Sequence, residues 1–359
     1  MTITQDAAGN QPDKVVAMIA SPLEPDLAAR IGAAYPARVD LIYRPDLMPP
    51  SQYPADHGGD PHWQASLPRQ AEWLELLRRA EILFDFPVRV DGNPLDHAPN
   101  LRWLQATSAG VGPKVKRVGL QESDVIITTA SGVHAQPLAE FVFAALLFHA
   151  KRLAHVQAEQ RAHHWERFAA RELRGQTMAV IAPGRIGQEI ARLARCFGMT
   201  VWAMARRHDP ARAAQLGIDR LFARDELKEM LAGADCLALC VPHTPETEGL
   251  LDREHLAALK PGAVLVNIAR GAVIDEAALI EALRSGQIGL AALDVFATEP
   301  LPADSPLWDL PNVWVSPHSA STADTENGKL ADLFIRNLGH YLAGEFDQMS
   351  PVLDKERLY

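Results

Sequence analysis

The sequence predicts an α/β protein of two domains, one built on a parallel sheet covered on both faces and one smaller. Three observations carry this. The chain has 359 residues, enough for two separately packed cores. From about residue 177 the apolar runs TMAVIA, TVWAMA, CLALCV, AVLVNI, GLAALDV and VWVSP alternate with helical patterns. Continuous apolar strands between helices imply a parallel sheet buried on both faces. Before that point, residues 15–130 alternate shorter strands with helices, which suggests a small α/β domain.

Taken in order, MTITQDAAGNQPDK (1–14) is polar, lacks a basic stretch followed by an apolar one, and reads as a loose tail rather than a signal peptide. VVAMIA opens the first domain, and the Pro-, His- and Asp-rich stretch LMPPSQYPADHGGDPHW interrupts it. That loop, Met48 to Trp63, either shapes a substrate pocket or is an exposed decoration. PRQAEWLELLRRAE, ILFDF and LRWLQATSAGVG continue the alternation. The apolar FVFAALLFHA is far shorter than the roughly 20 residues that span a bilayer and reads as a buried helix. The final ADTENGKLADLFIRNLGHYLAGE is an amphipathic helix with no strand after it, expected to return to the first domain. The expected boundaries are therefore 15–130 with 323–359 for one domain, and 131–322 for the other.

With 48% hydrophobic residues and a formal net charge of −10, the chain has ordinary globular composition and lacks the basic balance of a nucleic-acid or anionic-membrane surface. Cys196, Cys236 and Cys240 leave one thiol over from any pairing, which favours a reducing, cytoplasmic setting.

VIAPGRIGQEIARLA follows the strand TMAVIA directly and runs into a helix, with Ile186, Ile190, Leu193 and Phe197 at helical spacing. In a G-x-G-x-x-G turn the first glycine makes the bend, the second admits a pyrophosphate to the backbone, and the third lets helix and strand pack closely. Gly184 and Gly187 hold the second and third places and Ala182 the first, which is tolerable if the backbone there keeps a negative φ. A pyrophosphate would then rest on the amides of Arg185 and Ile186. The alternative is a plain strand-to-helix turn. At the end of the next strand, AMARRH sets Ala205 where an acidic residue would accept from a ribose 2′-hydroxyl, and Arg206 and Arg207 offer charge to a 2′-phosphate. NADP(H) is thus expected over NAD(H), unless both arginines are merely a solvated strand end.

LVNIARGAVIDEAAL, ALDVFATEPLPADSPLWDLPNVWVSPHSAS and LCVPHTPETEGLL strongly resemble the D-isomer-specific 2-hydroxyacid dehydrogenase family, which includes glyoxylate/hydroxypyruvate reductases and phosphoglycerate dehydrogenases. The resemblance runs from about Thr107 to Ala320, with several motifs in the right order. It implies a Rossmann-type doubly wound sheet, a smaller flavodoxin-like substrate domain, and hydride transfer between NADP(H), or NAD(H), and a small 2-keto or D-2-hydroxy acid. It implies Arg270, Glu299 and His318 as the catalytic set. A histidine with an ordinary pKa of about 6.5 can give and take the proton of the carbonyl oxygen near neutral pH. Glu299 would orient the imidazole and favour its cation, and the planar fork of Arg270 would grip the substrate carboxylate.

By the same resemblance Asp294 accepts from the nicotinamide carboxamide, and Ile268 and Ala269 bring backbone groups to that ring. Val241, Pro242 and Thr247 line the adenosine side. The amides of Ala109, Gly110 and Val111 in TSAGVG bind the substrate carboxylate, or form an ordinary glycine-rich turn. The helix QPLAEFVFAALLFHAKR implies a homodimer, with Trp165 reaching toward an active site. AEQRAHHWERF is expected to hold no metal, because adjacent histidines point in different directions and no acidic partner has ligand spacing. Two other activities fit the same residues, a phosphite dehydrogenase-like enzyme and a dinucleotide-sensing corepressor-like scaffold.

Overall fold

In the computed structural model, residues 14–206 and 209–358 are described. The tail expected over 1–14 lies outside them except for Lys14, and so does Arg207. The chain forms two compact units. One comprises the chain up to Val133 together with Ala323 onward, and the other is His134–Thr322.

Unit one is built on five parallel strands: β1 (Val15–Ile19), β2 (Val39–Ile42), β3 (Ile82–Phe84), β4 (Trp103–Gln105) and β5 (Ile126–Thr128). Their order is β2-β1-β3-β4-β5, the flavodoxin-like arrangement. Every residue of β3 and β4 is buried, as expected of central strands covered on both faces. The helix Glu326–Ala343 covers one of those faces, stacking Phe334 on Trp103 and setting its edge against Phe84. Asn337 Nδ2 also donates to Gln105 Oε1 at 3.1 Å across the interior, which fixes the helix in register.

Unit two carries β6 (Thr177–Ile181), β7 (Thr200–Met204), β8 (Arg220–Phe222), β9 (Cys236–Leu239), β10 (Ala263–Asn267), β11 (Ile288–Leu293) and β12 (Val313–Val315). The order β12-β11-β10-β9-β6-β7-β8, all parallel, is the doubly wound Rossmann order with one extra strand. The direction of winding reverses between β6 and β9, and loops beyond the carboxyl ends of those strands form the crevice where such sheets bind ligands. Two apolar cores, one on each face of the sheet, explain why its central strands β6, β9, β10 and β11 are apolar rather than alternating. The helix Ala135–Ala150 buries Val142, Phe143, Ala145 and Leu146 in one of them. Among the described residues no helix is long and apolar enough to cross a membrane.

Candidate active site

β6 leads through Ala182 and Pro183 into the helix Arg185–Cys196, whose N-cap is Gly184. Ala182 has φ +69°, so the expectation of a negative φ there is overturned. Ala182 N–H donates to Met204 O on the neighbouring strand and its carbonyl accepts from Gly184 N–H, and closing both bends the backbone into the left-handed region. An alanine held there costs about 1 kcal/mol. A Cβ on Gly187 would meet Ala182 O at 2.7 Å and Val180 Cγ1 at 2.9 Å, so close packing of helix on strand requires glycine. Gly184 is different, since a Cβ there would enter open space. No side chain caps the N-terminus of this helix. Open space at Gly184, where the amides of Arg185 and Ile186 begin the helix, fits a pyrophosphate.

Ala205 follows β7 immediately and Arg206 beside it is exposed. Arg224, not anticipated, lies just after β8 and donates from Nη2 to Glu246 O at 2.5 Å. It thereby braces the loop after β9. In that loop the Thr247 hydroxyl is turned inward, donating to Pro242 O at 2.7 Å and accepting from Thr244 N–H at 2.8 Å, while Val241 is buried. Thr247 therefore shapes the loop with its side chain.

Arg270, Glu299 and His318 all follow carboxyl ends of strands in unit two. Buried Asn267 closes β10 by accepting from Ala269 N–H at 3.0 Å and donating to Arg270 O at 3.1 Å, which holds Ile268 and Ala269 in a tight turn and turns Arg270 outward. Arg270 Nη1 donates to Ala269 O at 2.6 Å. A Cβ on Gly271 would lie 1.9 Å from the Phe296 carbonyl carbon, so glycine lets the Arg270 turn press against the segment that carries Glu299. Glu299 Oε1 accepts from Phe296 N–H at 3.0 Å, and Oε2 faces His318 Nδ1 at 2.8 Å. Partial burial pushes the Glu299 carboxyl up, but the hydrogen bonds from His318 and Phe296 and the Arg270 charge outweigh it, holding Glu299 below its ordinary range.

His318 itself has φ +54°. The segment around it is clamped by buried Asp294, whose Oδ1 accepts from Ser316 Oγ at 2.5 Å, Ser319 N–H at 2.8 Å and Ala320 N–H at 2.9 Å. All three bonds fall on one carboxylate oxygen. The clamp was not legible in the sequence, because Asp294 ends β11 while its partners follow β12. Nδ1 of His318 is taken by Glu299, so Nε2 is the ring atom open to proton transfer.

Ala109, Gly110 and Val111 lie in unit one, beyond β4, with Val111 buried and Gly110 exposed. The Met48–Trp63 loop is held rather than loose. Buried Asp56 accepts from Gln52, Gly58 and Gly59 amides at 2.9, 3.1 and 2.9 Å.

In the histidine-rich segment, the premise that no acidic partner has ligand spacing is wrong. His155 and Glu159 sit one turn apart on the helix Leu153–Arg161, His164 Nδ1 contacts Glu159 Oε2, and one donor atom from each of His155, Glu159 and Glu166 falls within 4.8 Å of the others. The i, i+4 step was the available signal. Trp165 is almost fully exposed.

Comparison with known proteins places this geometry. The family model described as "D-isomer specific 2-hydroxyacid dehydrogenase, NAD binding domain" matches residues 143–320. D-3-phosphoglycerate dehydrogenase of Mycobacterium leprae is 43% identical over 298 residues, covering 77% of this chain and 54% of the relative. The chain thus spans about half the length of that relative. Glyoxylate/hydroxypyruvate reductase B of Pectobacterium carotovorum is 39% identical over 277 residues, covering 75% of this chain and 84% of the relative. Among solved structures, a D-isomer specific 2-hydroxyacid dehydrogenase from Xanthobacter autotrophicus Py2, in complex with NADPH and MES, superposes with a TM-score of 0.74 at 30% identity, covering 96% of this chain and 99% of that one. With its two strand orders, its Gly184–Gly187 turn and its Glu299–His318 pair in these motifs, the chain belongs to the D-isomer specific 2-hydroxyacid dehydrogenase family.

Proposed function

We propose that the chain is an oxidoreductase that reduces a small 2-keto acid to the D-2-hydroxy acid with NADPH, and that Arg270, Glu299 and His318 carry the reaction. The observation behind this reading is the 2.8 Å contact between His318 Nδ1 and Glu299 Oε2, which turns an exposed imidazole into an oriented proton donor. The bound dinucleotide supplies the hydride. His318 Nε2 gives its proton to the carbonyl oxygen as C2 is reduced, and Glu299 stabilises the imidazolium beforehand. Arg270 holds the substrate carboxylate in its planar fork and draws charge from the adjacent carbonyl. Ala109, Gly110 and Val111 supply backbone amides to the same carboxylate.

The pyrophosphate is assigned to Gly184, Arg185, Ile186 and Gly187, the 2′-phosphate to Arg206 and Arg207, and the adenosine to Val241, Pro242 and Thr247. Ile268, Ala269 and Asp294 are assigned to the nicotinamide, Asp294 through the carboxylate oxygen its clamp leaves unused. Two observations support NADP(H): the missing carboxylate at Ala205, and the NADPH in the Xanthobacter relative. The reductase named for the Pectobacterium relative supports glyoxylate or hydroxypyruvate as substrate. A homodimer belongs to the same reading, supported by exposed Leu153, Val156, Trp165 and Phe168 on one segment.

The test is steady-state oxidation of NADPH and, separately, NADH, with glyoxylate, hydroxypyruvate and pyruvate offered in turn. Turnover that prefers NADPH and drops by about 10² to 10⁴ in His318→Ala is expected. Turnover unaffected by that substitution would overturn the assignment.

A further inference from the structure

Unit one holds a cavity of about 570 Å³ of its own, at the carboxyl ends of β3 and β4. Its wall includes Thr107, Ser108 and Val111, next to or within the segment assigned above to the substrate carboxylate, and its far side is formed by His57, Gly59 and Pro61 of the Met48–Trp63 loop. That volume lies in the range of roughly 300–1,000 Å³ that accommodates drug-sized ligands. A hydroxymethyl group, little larger than a water molecule at about 30 Å³, would leave most of it unfilled.

The lining has two chemistries. Phe86, Val88, Val90 and Val111 are apolar, while Lys114, Arg89 and His57 are cationic or basic. Lys114 Nζ sits 4.2 Å from the centre of the Phe86 ring, and among the described residues no carboxylate lies within ion-pair distance of it. Arg89 is fixed by donating from Nη2 to Asp60 O at 2.6 Å, which spends only part of its five-donor fork. His57 would be driven neutral by burial, but the carboxylates of Glu326, Asp85 and Asp56 outweigh that and favour its cation. The acidic side chain deepest in the wall, Asp85, is engaged elsewhere, accepting from the Thr107 hydroxyl at 2.8 Å. Asp91, the other lining carboxylate, lies exposed, and Lys114, which burial pushes below its ordinary pKa against the opposing charge of Asp85, is the lining ammonium with no carboxylate at ion-pair distance among the described residues.

We propose that this cavity receives the side chain of a 2-keto acid bearing a distal anionic group, and that Lys114 recognises that group with Arg89 beside it. The proposal rests on the keto-acid reductase reading above and narrows its substrate class. A carboxylate and a phosphate share the required chemistry, a compact anion several bonds from C2. The apolar wall would pack the intervening carbons, and the Met48–Trp63 loop would be the element that sets their number.

The experiment measures kcat and KM of the full chain with NADPH for three sets of substrates: glyoxylate and hydroxypyruvate; 2-oxoglutarate and 3-phosphohydroxypyruvate; and 4-methyl-2-oxopentanoate as the apolar counterpart. Each is repeated with Lys114→Met and Lys114→Arg. The expected result is a kcat/KM for at least one anionic substrate ten times or more that for the apolar one. That ratio should fall at least tenfold in Lys114→Met, chiefly through KM, and be largely recovered in Lys114→Arg. Which of the two anionic substrates leads identifies the distal group. A higher kcat/KM for the apolar substrate, or a ratio that Lys114→Met leaves unmoved, overturns the cavity assignment while turnover of glyoxylate or hydroxypyruvate keeps the reductase reading. No turnover of any keto acid sinks both.

Discussion

His318 Nδ1 and Glu299 Oε2 are 2.8 Å apart, although one follows β12 and the other follows β11, and neither strand end alone would hold its side chain there. The pair is assembled by two anchors. Phe296 N–H fixes the second oxygen of Glu299, and Asp294 fixes the turn that carries His318. Orientation of the imidazole is thus distributed over Glu299, Phe296 and Asp294 at one sheet edge.

Glu299→Gln keeps the shape of the side chain and removes its charge. Without the charge-assisted contact to Nδ1 the ring is held less firmly for proton transfer from Nε2, so kcat for keto-acid reduction should fall by about 10- to 100-fold with KM less affected. Steady-state kinetics of variant and wild type check this, and an unchanged kcat would refute the role of the pair.

The same carboxylate links acidity to stability. Its folded pKa lies below its ordinary value, so the contribution is present above the unfolded pKa of about 4.5 and is lost as pH falls through the lower, folded one. The melting-temperature difference between wild type and Glu299→Gln should therefore shrink on acidification below about pH 4.5 and level off above it. A difference that widens toward acid would contradict the sign.

Asp294→Ala removes the acceptor for three donors at once. Leaving these part-buried donors without their acceptor costs up to about 1–3 kcal/mol, and freeing the turn displaces His318. Thermal unfolding should record the first effect, and a kcat loss of at least tenfold the second. Asp294→Asn retains one acceptor oxygen and should fall between. Equal activity in all three proteins would deny the clamp any part in positioning His318.

Much of this was readable from local pattern, and the exceptions share a cause. Six strands of unit two are apolar runs that stand out in any window, whereas the short edge strand β8, with exposed Arg220, does not, and Arg270, Glu299 and His318 each follow a strand's carboxyl end inside an ordered motif. The positive φ of Ala182 was missed because it depends on a hydrogen bond to Met204, 22 residues on. The cavity beside Lys114 draws its wall from segments near residues 57, 86 and 108, none of which announces a pocket alone. Glu159 meets His155 through an i, i+4 step on the helix Leu153–Arg161, whereas the adjacent His163 and His164 lie beyond that helix.

Ala182→Gly should relieve the left-handed strain, worth about 1 kcal/mol, against an entropic cost of roughly 0.4–1 kcal/mol for the added freedom of the unfolded chain. The net change is small, and a rise in melting temperature of no more than a few degrees is expected. Ala182→Val, β-branched at the same φ, should destabilise by 1 kcal/mol or more, of the order of the strain costs known for such residues. A stabilised valine variant would be incompatible with the backbone geometry described here.

Ala205→Asp tests the cofactor preference at its source. The new carboxylate would stand at the end of β7, where it can accept from a ribose 2′-hydroxyl and repel a 2′-phosphate. A hydrogen bond to a charged group contributes about 1.5–3 kcal/mol, so the ratio of kcat/KM for NADPH over NADH should fall by roughly 10- to 100-fold. Arg206→Ser should lower the same ratio by weakening NADPH alone, since it removes an attraction and adds none for NADH. If Ala205→Asp leaves the ratio where it was, the 2′ position of the dinucleotide does not lie at the end of β7, and the assignment of Arg206 falls with it.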